Sequence, residues 1–319
     1  MTAAMSRLRD EHPALPEFAV IAPVGAGVTA NPEWMTTFAS HVEACGFESI
    51  VAVEHTVLMT QYTSVYPYDQ SGRVEIPPDC PVPDPLDLLA FLAARTTTLG
   101  LATGVLVLPN HQPVVLAKRI ATLDALSAGR VRLAVGMGWL REEIEACGAP
   151  FESRGRRADE QIEVLRLLWE DRPHGADFSG EFFQFAHAAC HPKPVGRIPI
   201  HVGGHSRAAA RRAGRLGDGF QPLGVGGAEL AGLVMVMREE ADRADRDPES
   251  LELTLGHLVT KIDGERAGRL AQLGADRVVL AMPPTSDIEE ACDVLSECAR
   301  RLALSSYGGQ ERGDPGRQE

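Results

Sequence analysis

What the chain lacks narrows it first. None of its six cysteines (Cys45, Cys80, Cys147, Cys190, Cys292, Cys298) forms a CxxC pair, which removes the usual spacing for zinc ligands and redox dithiols. No apolar run approaches the ~18 residues of a membrane span, and no secretory signal pattern opens the chain. Net charge is −13, and no basic stripe alternates with aromatic residues. Nucleic acid and anionic membrane surfaces are therefore not expected partners. The expectation is a cytoplasmic protein with reduced thiols.

What is present is a large apolar fraction and a regular alternation. At 319 residues and 44% hydrophobic content the chain can fill a core. Eight strand candidates occur in order: Phe18 to Pro23, Ser49 to Glu54, Leu99 to Leu106, Val131 to Val135, Ile198 to Val202, Asp218 to Pro222, Leu251 to Thr260 and Arg277 to Met282. Helical patterns separate them, one opened by Asn31-Pro32, one by Asp84-Pro85 and the last by a Ser286/Glu289 capping box. Eight alternating β and α units predict an α/β fold, a (β/α)8 TIM barrel with insertion loops at its C-terminal mouth. The expected layout is one barrel over residues 17–304, insertions at about 56–83 and 171–197, and flexible tails at 1–16 and 305–319. Phe178 to Phe185 alternates as a short hairpin would.

Leu99 to Glu143 is the most informative stretch. An apolar strand ends at Pro109-Asn110, and Pro113 suits a first helical position. Val115, Leu116, Ile120, Leu123 and Leu126 recur at helical spacing, and Gly129 fits the cap. Val131 to Val135 is the next strand, and Gly136-Met137-Gly138 turns the chain where barrels face their ligands. Glycines there permit positive φ or close approach of a flat ligand.

Among candidate chemical groups, His55 follows the second strand and reaches the rim of the barrel, where an imidazole can exchange a proton. His201 reads as a satisfied core histidine, and His111 and His205 as weaker rim candidates. Gly203-Gly204-His205-Ser206 lies between a strand and an Ala/Arg-rich helix, which suits a phosphate; Arg207 and Arg211 could add charge. Trp139, Phe183, Tyr66 and Tyr68 are candidate walls for a planar substrate. No metal ligand set is expected: the first strand, FAVIAP, has no HxH, and Cys190-His191 has no partner pair at zinc spacing. No GxSxG elbow is present.

Together, GFESIVAVEH (Gly46 to His55), Thr103 to Glu143, FESRGRRADE (Phe151 to Glu160), Pro192 to Pro194 and VGGHSRAAARRAGRLGDGF (Val202 to Phe220) resemble the bacterial luciferase-like superfamily, most closely its F420 (deazaflavin)-dependent oxidoreductase branch. The resemblance covers about residues 18–283. It implies a barrel holding F420, or alternatively FMN, across its mouth. Thr103, Gly104 and Val105 would form the bulge behind the ring, often with a non-prolyl cis peptide. Gly136, Gly138 and Trp139 would form a wall, and Gly203, Gly204, His205 and Ser206 would hold the phosphate. His55 would stand near the reactive ring as catalytic and cofactor-contacting residue. Sugar-phosphate dehydrogenases of the branch have an acidic glutamate where this chain has Trp139; Glu142, within a turn of it, is the substitute candidate, or else ordinary charge at a helix start. The implied activity is hydride transfer with a small organic substrate; a monooxygenase fed by a separate flavin reductase and a non-catalytic binder are the alternatives. A homodimer is expected.

Overall fold

The computed structural model describes residues 15–305. The tails expected at 1–16 and 305–319 lie outside the described residues except for Leu15, Pro16 and Ser305. Strands β1 (Glu17–Ile21), β2 (Ser49–Ala52), β3 (Gly100–Thr103), β4 (Leu106–Val107) and β5 (Val131–Gly136) alternate with helices α1 (Pro32–Ala44), α2 (Pro85–Ala93) and α3 (Pro113–Leu126). After β5 come α4 (Arg141–Ala146), α5 (Arg154–Trp169), the hairpin β6 (Ala176–Ser179) and β7 (Gln184–Ala188), then β8 (Ile200–Gly203), α6 (Arg207–Leu216), β9 (Gly219–Gln221) and α7 (Gly227–Arg243). The described chain closes with β10 (Glu252–Leu258), α8 (Gly264–Gln272), β11 (Arg277–Ala281) and α9 (Ile288–Leu302).

The sheet runs β3-β2-β1-β11-β10-β9-β8-β5-β4, entirely parallel, and β3 also pairs with β5. That last pairing closes eight staves into a barrel, β3 and β4 being two halves of one stave. The expected continuous strand Leu99 to Leu106 is broken at Gly104-Val105, whose peptide bond is cis.

Alternation along each strand sorts the side chains. Phe18, Val20, Ile50, Leu101 and Leu133 point outward and are buried beneath the helices, while Ala19, Val51, Ala102 and Val279 form a separate small cluster inside. Small residues inside and large ones outside match the space available in an eight-stave barrel. Helix starts are fixed as their sequences dictate: the Asn31 and Asp84 carboxamide or carboxylate oxygens accept from two backbone N–H groups each, with proline next in line. At α9 the capping side chain is Asp287, which accepts from Glu289 and Glu290 N–H; the expected Ser286/Glu289 box is displaced by one residue. A carboxylate at the N-cap also meets the positive end of the helix dipole, which a serine hydroxyl does less well.

At the N-terminal end of the barrel, five ionisable groups from distant parts of the chain meet. Glu48 accepts from Arg132 through both oxygens, at 2.6 and 2.9 Å, and from Arg277 Nε at 3.2 Å. Arg277 reaches on to Glu252 at 2.8 Å. His201, 1% exposed, shares Nδ1 with Thr254 Oγ1 at 3.1 Å, and its Nε2 lies 3.3 Å from Glu252. The reading of His201 as a core histidine agrees with this placement. Burial opposes ionisation of Glu48, but Arg132 and Arg277 outweigh it and hold its carboxyl at about 2. Burial pushes the His201 imidazole below its ordinary value.

Candidate active site

The opposite end is built differently. Val105, next to the cis peptide, projects against two strand-terminal glycines: a Cβ on Gly136 would lie 2.6 Å from its Cγ2, and one on Gly203 2.7 Å from its Cγ1. Gly104 is closed in the same way by Val51. Gly136 and Gly203 are buried, and both make room for the Val105 side chain inside the barrel. Gly138 does adopt positive φ, +75°, with Ile144 and Val107 where a Cβ would stand. Thr103 is buried and joins β3 to β5, its hydroxyl donating to Ala134 O and accepting from Ala134 N–H.

Two carboxylate–imidazole pairs leave the end of β2 in opposite directions. Glu54, 6% exposed, accepts from Val107 N–H and pairs with His111 Nε2 at 2.6 Å, so it pins the chain just beyond Val105. The next residue, His55, places Nδ1 3.1 Å from Glu143 Oε2; Glu143 is 2% exposed, and its other oxygen accepts from the N–H groups of Thr56 and Val57. A carboxylate only accepts, so Nδ1 carries the hydrogen and Nε2 is the ring nitrogen left for other work.

Glu143 therefore holds the position expected of Glu142. Glu142 turns the other way and accepts from the N–H and hydroxyl groups of both Thr63 and Ser64, at 2.6 to 3.3 Å. Although desolvation opposes it, the Ser64 hydroxyl, the Thr63 N–H and hydroxyl and its own backbone N–H hold the Glu142 carboxyl at about 2. A group held that low stays ionised near neutrality and serves as a clamp on the 56–83 insertion, not as a proton donor. Glu143 carried one usable signal, its place one helical residue further along α4. Its pairing with a histidine 88 residues away is set by barrel closure alone.

The 56–83 insertion brings three tyrosines over the mouth. Trp139 meets Tyr66 edge-on with ring centroids 5.0 Å apart, Tyr62 at 5.6 Å and His55 at 6.4 Å. Tyr66 continues to Tyr68 at 5.4 Å, and Tyr68 to His205 at 5.0 Å. The rings make an unbroken bridge from His55 at the end of β2 to His205 after β8. Burial pushes the Tyr66 and Tyr68 hydroxyls upward, so both are neutral donors. Phe183, the remaining expected wall, packs in the hairpin under the Arg157 guanidinium at 4.6 Å.

At the Gly203–Ser206 turn, Gly204 has φ +117° and donates its N–H to Gln221 O. Ser206 caps α6, its hydroxyl accepting from Ala209 N–H at 3.1 Å. His205 Nδ1 is buried without a hydrogen-bond partner. A turn at a helix N-terminus with an orphaned buried imidazole nitrogen fits an anionic group. Arg207 and Arg211 are exposed, Arg211 turning to Glu240. Among the described residues no three His, Cys, Asp or Glu side chains gather as a metal ion would require, and no helix is long and apolar enough to cross a membrane.

A closed parallel barrel with a cis peptide in its third stave, a histidine–carboxylate pair at the second and a glycine turn before a helix at the fifth defines a site class. The model of the luciferase-like monooxygenase family matches residues 17–301, and the chain belongs to that family. It is an oxidoreductase by that membership. An uncharacterized protein of Mycobacterium tuberculosis is 37% identical over 220 residues, 66% of this chain and 75% of that protein. A protein named F420-dependent glucose-6-phosphate dehydrogenase from Segniliparus rotundus is 30% identical over 224 residues, 68% of this chain and 61% of its own length. A solved F420-dependent secondary alcohol dehydrogenase shares the fold with TM-score 0.69 at 18% identity, over 89% of this chain and 98% of that one.

Proposed function

We propose that this protein is an F420-dependent oxidoreductase that moves a hydride to or from a small organic substrate at the barrel mouth. The observation that carries the reading is the His55–Glu143 pair, a buried carboxylate fixing one ring nitrogen of an imidazole beneath an aromatic cover. The relative named for F420 supports the choice of cofactor.

When bound, the deazaflavin supplies the hydride-carrying carbon. The chain's own groups supply the rest. The Gly203–Ser206 turn with the orphaned His205 Nδ1 would receive the phosphate, and the Val105 ridge would lie behind the ring. Glu143 holds His55 through Nδ1, which leaves Nε2 to take a proton from a hydroxyl in oxidation as the neutral ring, or, as the imidazolium, to give one to a developing alkoxide in reduction. Tyr62, Tyr66 and Trp139 exclude water from that exchange, which strengthens every polar interaction beneath them.

Titration of the purified protein with F420 and with FMN, each followed by absorption after equilibrium dialysis, tests the reading. Uptake of F420 without FMN is expected. Uptake of FMN alone would replace it with a monooxygenase dependent on a separate reductase, and uptake of neither would leave no redox role.

A further inference from the structure

We infer that the substrate is an uncharged, flat, conjugated carbonyl compound, held against Trp139, Tyr62 and Tyr66; this rests on the oxidoreductase reading above. Trp139 stands between His55 and the two lid tyrosines, with ring centroids 5.0 to 6.4 Å away. Aromatic walls in offset or edge-on contact favour a planar π-surface over a saturated, puckered one.

The charges point the same way. Within the 56–83 insertion, Arg73 is the one cation, and it is already committed: its guanidinium lies 4.5 Å over the Tyr62 ring and donates to Tyr62 O at 3.1 Å. None of the chain's three lysines, Lys118, Lys193 and Lys261, lies in the insertion or in α4. On α4, Arg141 is held by Glu145 and Glu152 and lies over Phe151. The carboxylates of Glu142 and Glu143 face the lid backbone beside the same rings. An anionic substrate would find no uncommitted cation in these two segments, and of the arginines next to them on α5, Arg154 donates to Gly138 O and Phe151 O while Arg157 lies over the Phe183 ring of the hairpin. The Thr63 and Ser64 hydroxyls are taken by Glu142, which leaves the lid tyrosines, more aromatic face than hydroxyl, to meet the substrate. A carbonyl oxygen, by contrast, needs one donor, which His55 Nε2 provides when the ring carries a proton on both nitrogens.

The chain carries three tryptophans, and Trp34 and Trp169 are tied through their indole N–H groups to Ser286 O and Ala117 O, outside the mouth. Quenching of Trp139 fluorescence therefore reports on the site directly, with Trp139→Phe as the blank. Benzylideneacetone, a flat neutral enone, is titrated against cinnamate, its anionic counterpart of similar shape, and glucose 6-phosphate, with and without F420. Benzylideneacetone is expected to bind at least tenfold tighter than either anion, Tyr66→Ala to weaken it about tenfold and Tyr66→Phe to leave it within threefold. Equal or tighter binding of cinnamate or glucose 6-phosphate overturns the inference, and so does an unchanged affinity in Tyr66→Ala, which would make the ring lid packing only. No quenching by any probe in a protein that takes up F420 also overturns it. Failure to take up F420 while benzylideneacetone still binds overturns the cofactor reading and leaves the substrate class standing.

Discussion

The two ends of the barrel hold comparable numbers of ionisable groups and use them in opposite ways. At the N-terminal end, Glu48, Arg132, Arg277 and Glu252 saturate one another within the strands or next to them. At the C-terminal end, the polar groups stand on segments beyond the strands, and two imidazoles keep a nitrogen over: His55 spends one on Glu143, and His205 Nδ1 has no partner. A saturated cluster can be removed only at a cost to folding. A half-saturated one has capacity left for a ligand. This is the division expected of barrels, stability below and chemistry above.

The comparison breaks most sharply if His55 proves dispensable. His55→Ala is expected to lower kcat by roughly 100-fold or more, the usual range for a lost acid–base group, with a melting temperature close to wild type. Unchanged turnover would remove the imidazole from the reaction. At the other end, Arg277→Met takes from Glu252 its arginine and leaves Glu48 with Arg132 alone, and is expected to cost about 3 kcal/mol of unfolding free energy in urea titration while kcat of the folded fraction is kept. A mutant that stays stable but loses turnover would erase the distinction between the ends.

Glu143→Gln keeps the shape but exchanges a carboxylate for an amide, and is expected to lower kcat about tenfold with F420 affinity unchanged, as for a partner that only orients a working histidine. Acid should then separate the two ends by titration. Glu48 sits at about 2 in the folded chain against an ordinary 4.5, so its contribution to stability is complete above pH 4.5 and is lost as pH falls from 4.5 toward 2. His201, depressed by burial, is neutral when folded and takes up a proton more readily when unfolded, so its contribution is lost as pH falls below 6.5. Urea midpoints are expected to decline from pH 7 to pH 3, with Glu48→Gln flattening the lower part of the curve. The smallest effect is reserved for the lid clamp: Glu142→Gln should raise KM about threefold with little change in kcat, since it frees Thr63 and Ser64 without touching His55.

Much of the architecture was legible because parallel strands buried on both faces announce themselves as apolar runs. Each of the eight expected runs overlaps an observed stave, and the Phe178 to Phe185 alternation folds as the β6–β7 hairpin. What escaped depends on contacts between distant segments. Whether Glu142 or Glu143 faces the barrel turns on the phase of a six-residue helix, which neighbouring acids in one short run cannot reveal. Gly136 and Gly203 are glycines in the right places, but their reason is the Val105 side chain, far away along the chain in both cases. The N-terminal charge cluster was invisible for the same cause: residues 48, 132, 252 and 277 meet only when the sheet closes.

Val105 and the glycines facing it have a consequence for how such barrels diverge. The valine fills the volume that side chains at 136 and 203 would need, so the three positions can change only in concert. A protein engineer who wants a deeper mouth must trim residue 105 first and then gains freedom at both glycines; one who starts at a glycine meets a wall. The mouth is tunable from a single position.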